Sequence, residues 1–437
     1  MNIPTYAMYK YSGWEWLGNI PEHWDLNRLR YCALPVNEKL DGEKCQLPYT
    51  GLEHIESWTG KRFYDSEETI SESQVNHYLA GDVLFGKLRP YLAKVFKTEE
   101  EGICTGELLV LRPKLVTQSY LFYFMLNRSF IRIVDSSAYG VKMPRANWDI
   151  IGNLNASVPP MEEQHAISAF LDRETARIDG LIEKKLRQIE LLKEKRAVII
   201  SHAVTKGLDP NVKMKDSGIE WLGEVPEHWK VERLKCSINR LINGVWGDDT
   251  EGTENDLPCI RVADFNRISF RVRLDEPTLR CINLKERQGR SLERNDLLLE
   301  KSGGGELQPV GVVVMYDHDE TAVCSNFIAR MTVAHGCDPA FLTYLHASFY
   351  FNRVNTRSIK QTTGIQNLDS AAYLNETACF PPLHEQQEIA ILLVRETGRI
   401  DVLIEKVNQS IELLHEYRTA LISETVTGKI DVREEIN

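Results

Sequence analysis

The stretch from Arg173 to Lys184 reads R-E-T-A-R-I-D-G-L-I-E-K, and it decides the fold because the chain contains it twice. The second copy, R-E-T-G-R-I-D-V-L-I-E-K, begins at Arg395, at an offset of 222 residues. A pair of prolines precedes each copy, at Pro159-Pro160 and at Pro381-Pro382. Repetition over this length predicts two related structural units.

Apolar residues recur through each copy at alternating steps of four and three, which is the heptad seam of a coiled coil. The predicted seam residues are Ile178, Ile182, Ile189, Leu192 and Ile199 in the first copy, and Ile400, Ile404, Val407, Ile411, Leu414 and Leu421 in the second. Arg196 and Arg418 interrupt the two seams at matching positions. One seam alone also fits a single helix in an ordinary core, but two matched seams favour pairing.

Each long helix should begin just after its proline pair, because proline is tolerated only at or before the first turn. The glycines at Lys206-Gly207 and Thr427-Gly428 indicate where the helices end. About 40 residues at about 1.5 Å each make a rod of about 60 Å. We therefore expect two rods that lie against each other.

A second repeat lies upstream of each helix: W-L-G-N-I-P-E-H-W from Trp16 to Trp24 returns as W-L-G-E-V-P-E-H-W from Trp221 to Trp229. The repeated ends bracket two middles, roughly residues 25 to 158 and 230 to 380, that differ mostly in sequence. Strands are predicted at 83–85, 108–112, 311–316 and 327–332, and helices at 119–134 and 339–352. Two mixed α and β globular domains, related by the repeat, are expected.

The composition excludes several classes of protein. With 437 residues, 43% apolar and 26% charged, the chain suggests about three folded units. Its apolar runs of about seven residues are far short of the roughly 18 needed to cross a bilayer, and the N-terminus does not resemble an export signal. We expect a cytoplasmic protein without a membrane partner. The formal charge of −11 argues against bulk coating of nucleic acid, but not against a local basic groove.

No catalytic or metal-binding set is convincing. Residues 81–88 (G-D-V-L-F-G-K-L) lack the final Ser or Thr of a phosphate-binding P-loop. Residues 384–388 (H-E-Q-Q-E) lack the second histidine of a zinc-protease helix. The nine cysteines form no CxxC pair, so neither a zinc ribbon nor a dithiol motif is present. We therefore predict a chain that is not itself an enzyme.

Two basic segments without carboxylates suggest DNA binding: Val83 to Thr98 and Ala340 to Leu368. Lys and Arg can meet phosphates, while Gln, Asn, Thr and Arg can also pair with base edges. The acid-free stretch from Tyr139 to Asn147 corresponds to the end of the second segment. The predicted DNA-facing residues are Lys87, Arg89, Lys94, Lys142 and Arg145 in the first half, and Lys301, Arg353, Arg357, Lys360, Thr363 and Gln366 in the second. A solvated surface is the alternative for any single one.

Taken together, the W-L-G-x-x-P-x-H-W repeat, the G-D-x-L-F-x-K segment at Gly81 and the P-P-x-x-E-Q helix starts resemble the specificity subunits of type I restriction-modification systems. The resemblance covers essentially the whole chain. It implies an α+β fold, with two target-recognition domains separated by an antiparallel coiled coil of the two long helices. The implied segments are domains at 1–158 and 208–380, helices at 159–207 and 381–430, and a tail at 431–437.

The resemblance also implies partners and a division of labour. Each domain would read one half of an asymmetric double-stranded DNA site, and the helices would set the spacing and dock two modification subunits. Those subunits would bind S-adenosylmethionine and methylate adenine, and restriction subunits would add ATP- and Mg-dependent cleavage. The chain itself would bind no cofactor. The poor match of Ser302 to Glu306 with Leu88 to Pro90 leaves the second domain's DNA contacts unaligned.

Two other functions remain open on the residues. One is an autonomous nuclease built around Asp172 with Glu183 and Lys185, although these lie on a predicted coiled-coil helix. The other is a coiled-coil adaptor that binds no DNA.

Overall fold

The computed structural model describes residues 4–63, 73–305, 307–362 and 365–434. Contacts divide the chain into two compact units: unit 1 is Met1–Lys185 with Gln409–Asn437, and unit 2 is Leu186–Asn408. The divisions fall within both long helices. The predicted segments set the helices apart from the domains, whereas the contacts assign part of each helix to each unit. Thr363, one of the predicted DNA-facing residues, lies outside the described residues.

The elements of unit 1 precede and include the first part of a 46-residue helix. They are β1 (Tyr9–Tyr11), β2 (Asn19–Pro21), β3 (Asp25–Arg28), α1 (Leu29–Cys32), β4 (Ala33–Val36), β5 (Lys39–Asp41), β6 (Tyr49–Thr50), β7 (Gln74–Tyr78), β8 (Val83–Gly86), β9 (Val95–Lys97), β10 (Gly102–Cys104), β11 (Leu108–Pro113), α2 (Gln118–Met125), α3 (Arg128–Ser136), α4 (Trp148–Ile151), β12 (Asn155–Val158) and α5 (Met161–Lys206).

The elements of unit 2 end in a 44-residue helix whose last part returns to unit 1. They are β13 (Met214–Asp216), β14 (Glu224–Pro226), β15 (Lys230–Arg233), β16 (Ile238–Asn243), β17 (Asp256–Ile260), β18 (Phe265–Asn266), β19 (Arg271–Val272), β20 (Leu279–Cys281), α6 (Leu284–Arg287), β21 (Leu297–Glu300), β22 (Ser302–Gly303), β23 (Val313–Met315), β24 (Val323–Cys324), β25 (Ile328–Val333), α7 (Pro339–Phe351), β26 (Ile359–Thr362), β27 (Ile365–Leu368), α8 (Ser370–Leu374), β28 (Thr377–Phe380) and α9 (Leu383–Val426).

The two units repeat the same sheet plan. Unit 1 has a four-stranded sheet in the order β4-β11-β8-β9, and unit 2 has the order β16-β25-β21-β23, continued by β19 and β18. The pair β3-β12 corresponds to β15-β28, and β1-β2 corresponds to β13-β14. Both middles therefore share a framework, although their sequences differ.

The predicted helix over residues 119–134 is in fact two helices, α2 and α3. Asn127 causes the break, because its side chain accepts hydrogen bonds from the backbone N–H groups of Ser129 and Phe130 and caps α3. Both helices still bury apolar residues in the core of unit 1, among them Tyr120, Phe124 and Phe130. The hydrophobic pattern continued through the break, which is why the sequence suggested one helix.

The long helices begin directly after their proline pairs, and reciprocal ion pairs join them. In unit 1, Nε of Arg418 on α9 donates to Asp179 on α5 at 3.0 Å. In unit 2, Nη1 of Arg196 on α5 donates to Asp401 on α9 at 2.6 Å. The repeat relates Arg196 to Arg418 and Asp179 to Asp401, so each pair joins the arginine of one copy to the aspartate of the other. Equivalent helices that run antiparallel produce this reciprocity.

The predicted seam residues line this contact. Seven are buried and four are half-buried. The buried residues are Ile178, Ile182, Ile189, Ile400, Ile404, Val407 and Leu421, and the half-buried ones are Leu192, Ile199, Ile411 and Leu414. The two arginines that interrupt the seams are themselves buried, at 5% exposure each. They occupy seam positions because the facing aspartates pair with them.

The first turn of each long helix binds the repeated His-Trp pair. In unit 1, the Glu163 carboxylate lies 2.6 Å from Nε2 of His23 and accepts a 2.7 Å hydrogen bond from Nε1 of Trp24. In unit 2, Glu385 makes the same contacts with His228 and Trp229, at 2.7 and 3.0 Å. The W-L-G-x-x-P-x-H-W and P-P-x-x-E-Q motifs are therefore two sides of one contact.

The glutamine of the same motif connects the helix start to the middle of each unit. Nε2 of Gln164 donates to the Pro159 carbonyl at 2.9 Å, and its Oε1 accepts from the N–H of Thr117, the residue that caps α2. In unit 2, Gln386 makes the same two bonds with Pro381 and Asp338.

The far end of each long helix holds the W-L-G segment of the other copy. Lys429, after α9, donates to the carbonyls of Leu17 and Asn19 in unit 1, and Lys206 of α5 donates to the equivalent carbonyls in unit 2. Gly428 has φ +68°, and a Cβ there would lie 2.3 Å from Cδ of Pro21. Only glycine fits this close approach without rearrangement.

The aspartate of the G-D-x-L-F-x-K segment is structural. Asp82 is fully buried, accepts from the N–H of Leu79 at 2.9 Å and pairs with Arg112. Asp296 repeats this in unit 2, accepting from the N–H of Glu293 and from Nε of Arg330, both at 2.6 Å. The segment is therefore a turn that an internal ion pair holds together. Within the described residues, no helix is both long and apolar enough to cross a membrane.

Candidate nucleic-acid interface

In unit 1, the loop after β8 and a short hairpin form one basic surface. Tyr139 and Arg145 exchange backbone hydrogen bonds of 3.1 and 2.9 Å, which close the hairpin over residues 140–144. The N–H of Ala146 donates to the carbonyl of Lys87 at 2.8 Å, and the N–H of Arg89 donates to that of Pro144 at 2.7 Å. Four predicted DNA-facing residues, Lys87, Arg89, Lys142 and Arg145, are thus brought together from segments about 50 residues apart.

Three of these cations are available to a ligand. Arg89 and Lys142 are exposed and Lys87 is half-buried, and within the described residues no hydrogen bond or ion pair occupies their charged groups. Arg89 has φ +50°, a conformation that non-glycine residues rarely adopt, and such strain is more common at functional sites. The guanidinium of Arg145 instead pairs with Glu107 at 2.6 Å.

Lys94 has a different environment from the other predicted contacts. Its Nζ donates to the Leu52 carbonyl at 2.6 Å, and burial lowers the pKa of its ammonium group. Contact with a phosphate would require the ammonium group to exchange this hydrogen bond.

Unit 2 contains the equivalent surface. The N–H of Leu368 donates to the carbonyl of Lys301 at 2.8 Å, which repeats the contact of Ala146 with Lys87. β22 pairs with β27, and β27 pairs with β26, so the strands of the hairpin here are Ile359–Thr362 and Ile365–Leu368. Ser302 lies opposite Asn367 where Leu88 lies opposite Arg145. The structure thus supplies the alignment that the sequence left open.

The predicted cations of unit 2 have more partners than those of unit 1. Nζ of Lys301 donates to Oδ1 of Asn243 at 2.7 Å, and burial lowers the pKa of this lysine. Lys360 is exposed and pairs with Asp369 at 2.7 Å. Arg353 and Arg357 are exposed. Arg353 immediately precedes the 3-10 turn before β26, and Arg357 lies on that turn, 4.0 Å from Glu376.

Gln366 is buried, at 8% exposure, rather than open to DNA. Its Oε1 accepts a 3.2 Å hydrogen bond from the N–H of Val310, whose carbonyl accepts a 2.6 Å bond from Asn355. Side chains alternate in a strand, so burial of Gln366 exposes its neighbours Ile365 and Asn367. In this structure Gln366 holds the loop beside the hairpin, and base contact would require it to leave Val310.

The residues considered for a nuclease do not converge. Asp172 accepts a 2.7 Å hydrogen bond from Tyr123 and pairs with Lys97 at 3.1 Å. Glu183 lies 11 residues further along α5, about 16 Å away at about 1.5 Å per residue. Throughout the described ranges, no three His, Cys, Asp or Glu residues are placed to hold a metal ion together.

Comparisons with known proteins point to one group of relatives. Residues 49–191 match a family model described as the type I restriction modification DNA specificity domain. The specificity subunit of the type I restriction enzyme MjaVIII of Methanocaldococcus jannaschii is 25% identical, over 95% of this chain and 94% of that protein. The EcoDI specificity subunit of Escherichia coli is 30% identical over 39% of this chain and 38% of its own length. The chain is therefore similar to the specificity subunits of type I restriction enzymes, and to the MjaVIII subunit along nearly its whole length.

Solved structures share the fold of this chain. A chain from a study of complex assembly and conformational transition in a type I R-M system has a TM-score of 0.71, with 18% identity over 93% of this chain and 98% of that one. The HsdS subunit of Thermoanaerobacter tengcongensis has a TM-score of 0.50 and 18% identity, over 94% and 98%.

Sequence reasoning missed two residues of the candidate surface of unit 2, Asn355 and Asn367. The Asn355 side chain donates a hydrogen bond to the Val310 carbonyl. Asn367 is exposed beside Ser302, and its Oδ1 accepts a 2.6 Å hydrogen bond from the Ser302 hydroxyl. The alternation of the hairpin strand could have identified Asn367, because it corresponds to Arg145 in the repeat. No local signal marked Asn355, whose partner lies 45 residues away.

Proposed function

We propose that this subunit reads a bipartite, asymmetric site in double-stranded DNA, with one half read by each unit. The observation that carries the proposal is the repeated surface. In each unit a hairpin lies beside the loop that follows the equivalent sheet strand. The same backbone hydrogen bond joins them, from the N–H of Ala146 to the carbonyl of Lys87 in unit 1 and from the N–H of Leu368 to the carbonyl of Lys301 in unit 2. A common framework fixes where the backbone lies, while different side chains can read different bases.

The two surfaces differ in the way this proposal requires. At matched positions unit 1 carries Leu88 and Arg145, and unit 2 carries Ser302 and Asn367. Arginine suits the acceptors of guanine, which Arg145 could meet only by exchanging its ion pair with Glu107, whereas asparagine suits the acceptor and donor of adenine. The two half-sites should therefore differ in sequence.

The long helices supply the second part of the proposal, which is a spacer that docks two modification subunits. Their antiparallel seam fits a spacer, and α9 leaves large apolar side chains exposed three or four positions apart, Ile391 with Val394 and Leu413 with Tyr417. Exposed apolar side chains at helical spacing are typical of a docking face. Partner subunits would also supply phosphate contacts that a chain of net charge −11 lacks.

We further propose that this chain is not catalytic. The modification subunits would bind S-adenosylmethionine and methylate adenine, and restriction subunits would add ATP- and Mg-dependent cleavage. The test is to incubate the purified chain with DNA and a divalent metal. Any turnover of the DNA that the Glu183→Ala substitution abolishes would contradict this division.

The decisive test is to map methylated adenines in the host genome with and without this gene. We expect a bipartite motif that disappears with the gene. Footprinting with the modification subunits should show two protected patches about one helical turn apart. A coiled-coil adaptor would give neither the motif nor a sequence-selective footprint, and that result would overturn the proposal.

A further inference from the structure

The hairpin of unit 1 presents apolar side chains at its tip. Val141 is fully exposed, and Tyr139 and Met143 are each 62% exposed. Single exposed apolar residues are common on proteins, but three within five positions of one short hairpin leave substantial apolar surface in water. Most of the apolar surface of these three side chains is therefore not buried in unit 1.

The base of the hairpin is held rigidly. Backbone bonds close it between Tyr139 and Arg145 and tie it to Lys87 and Arg89. The side chain of Arg145 is fixed by its 2.6 Å ion pair with Glu107. The tip is thus presented on a supported framework, which limits the entropy lost when it binds a partner.

The side chains around the tip are positively charged, which favours DNA as its partner. Lys142 lies between Val141 and Met143 in the sequence. The exposed Arg89 and the half-buried Lys87 lie at the base of the hairpin. Cations that flank an apolar projection match the phosphates that flank a DNA groove, where apolar side chains meet thymine methyl groups or enter between base pairs.

We infer that Val141 and Met143 are specificity-determining residues, which make apolar contact with bases of the half-site that unit 1 reads. This inference rests on the proposed function. The corresponding hairpin of unit 2 reads Q-T-T-G between Lys360 and Ile365. The sequence of unit 2 is polar at this point, whereas that of unit 1 contains Val141 and Met143, so we expect stronger apolar reading in the first half-site.

The test uses the full chain, expressed with its modification subunit in cells that lack other adenine methyltransferases, followed by mapping of methylated adenines. The Val141→Ser/Met143→Ser double variant should relax one or two adjacent positions of one half-site. Roughly a fourfold to fifteenfold fall in discrimination is expected from losing the burial of one or two methyl groups. Two matched controls remove other exposed apolar side chains: Leu115→Ser, 43% exposed in unit 1, and Ile365→Ser, 55% exposed in unit 2. Leu115→Ser should leave the motif unchanged, and Ile365→Ser should leave that half-site unchanged.

Duplexes that carry the mapped site distinguish the two forms of contact. If replacing thymine by uracil in this half-site weakens methylation by the parent protein but not by the double variant, the contact is with a methyl group. If uracil has no effect and the fluorescence of a neighbouring 2-aminopurine rises on binding, the side chains enter a base step.

Several outcomes would overturn the inference. One is an unchanged motif in the double variant. Another is an equal loss of methylation at all sites together with loss of the modification subunit, which would make the tip a protein contact. A parent protein that methylates no motif would instead overturn the proposed function, and the inference with it.

Discussion

Units 1 and 2 share their framework, but the glutamate in the first turn of the long helix makes more contacts in unit 1 than in unit 2. Glu163 binds His23 and Trp24, and it also accepts a 3.2 Å bond from Tyr6 and lies 3.8 Å from Arg433. Glu385 makes the equivalent bonds to His228 and Trp229 and lies 3.9 Å from His384, but no hydrogen bond among the described residues repeats that of Tyr6, and its side chain is more exposed. The same motif therefore gives the same geometry in both units, but we expect it to contribute different free energies to their stability.

The buried arginines of the helix pair also differ, because the one in unit 1 makes more hydrogen bonds than the one in unit 2. Arg418 donates to Asp179 and also to the carbonyls of Trp58 and Thr59, at 2.9 and 3.2 Å. Arg196 donates to Asp401 and stacks on Phe270, 5.4 Å from the ring centre. Two of its nitrogens are buried without a hydrogen-bond partner in the described part of the chain, and burial lowers the pKa of its guanidinium.

The cores differ in polarity at one matched pair. Unit 2 buries His346 against Tyr373, with Nδ1 and the hydroxyl oxygen 2.7 Å apart. The repeat places Met125 and Ile151 of unit 1 at the same positions, and both are fully buried. Burial lowers the pKa of His346 to about 3. Unit 2 therefore has an acid-sensitive group where unit 1 has an apolar contact.

The largest expected effect is loss of Glu163. Glu163→Ala leaves the buried Trp24 and Tyr6 without their acceptor, and we expect it to destabilise unit 1 by about 3–5 kcal/mol. Glu385→Ala should destabilise unit 2 by about 1–3 kcal/mol. Urea unfolding followed by hydrogen exchange of peptides from each unit measures both losses. Equal losses would remove the energetic difference between the two copies.

The next effect concerns the helix pair. Arg418→Met breaks three hydrogen bonds and leaves Asp179 paired only with Lys61 among the described residues, so we expect a loss of about 3 kcal/mol. Arg196→Met keeps an apolar contact with Phe270 and removes two unpartnered nitrogens, so the expected loss is about 1 kcal/mol. Thermal unfolding checks the order of the two variants, and a larger loss for Arg196→Met would contradict it.

Acid should destabilise unit 2 through His346. The unfolded state protonates this histidine near pH 6.5, whereas the folded state resists protonation down to about pH 3. Stability is therefore complete above pH 6.5 and falls by about 1.4 kcal/mol per pH unit below it. The His346→Met/Tyr373→Ile double variant, which copies unit 1, should lose this slope. Hydrogen exchange of unit 2 between pH 7 and pH 5 measures it, and an unchanged slope would exclude His346 as the cause.

The smallest effect separates two neighbouring residues of the second hairpin. Gln366→Ala removes the bond to Val310 and should weaken methylation of all second half-site sequences alike, by about 1–2 kcal/mol. Asn367→Ala should relax one base position by about 1–3 kcal/mol. Methylation of a set of duplexes with single base changes compares them. Relaxation at one position by Gln366→Ala would restore the sequence-based assignment of Gln366 as a base contact.

Much of the fold could be predicted from the sequence because its signals are local or repeated. Proline pairs and glycines bounded the long helices, and heptad spacing identified the seam residues. The break at Asn127 escaped because the apolar pattern continues across a capping residue. In the site, the composition of short acid-free segments indicated Lys87, Arg89 and Lys142, but not which side of a strand each residue faces.

By itself, the sequence determined that this protein has two related units, two seamed helices and a basic segment in each unit, since period and composition act over a few residues. Only the tertiary structure decided that Arg196 pairs with Asp401 and Arg418 with Asp179, that Glu163 holds Trp24, and that Gln366 is turned inward. Those contacts join residues 56 to 239 positions apart. The free energy of such contacts depends on burial and on the partner supplied by another segment, and no local pattern carries that information.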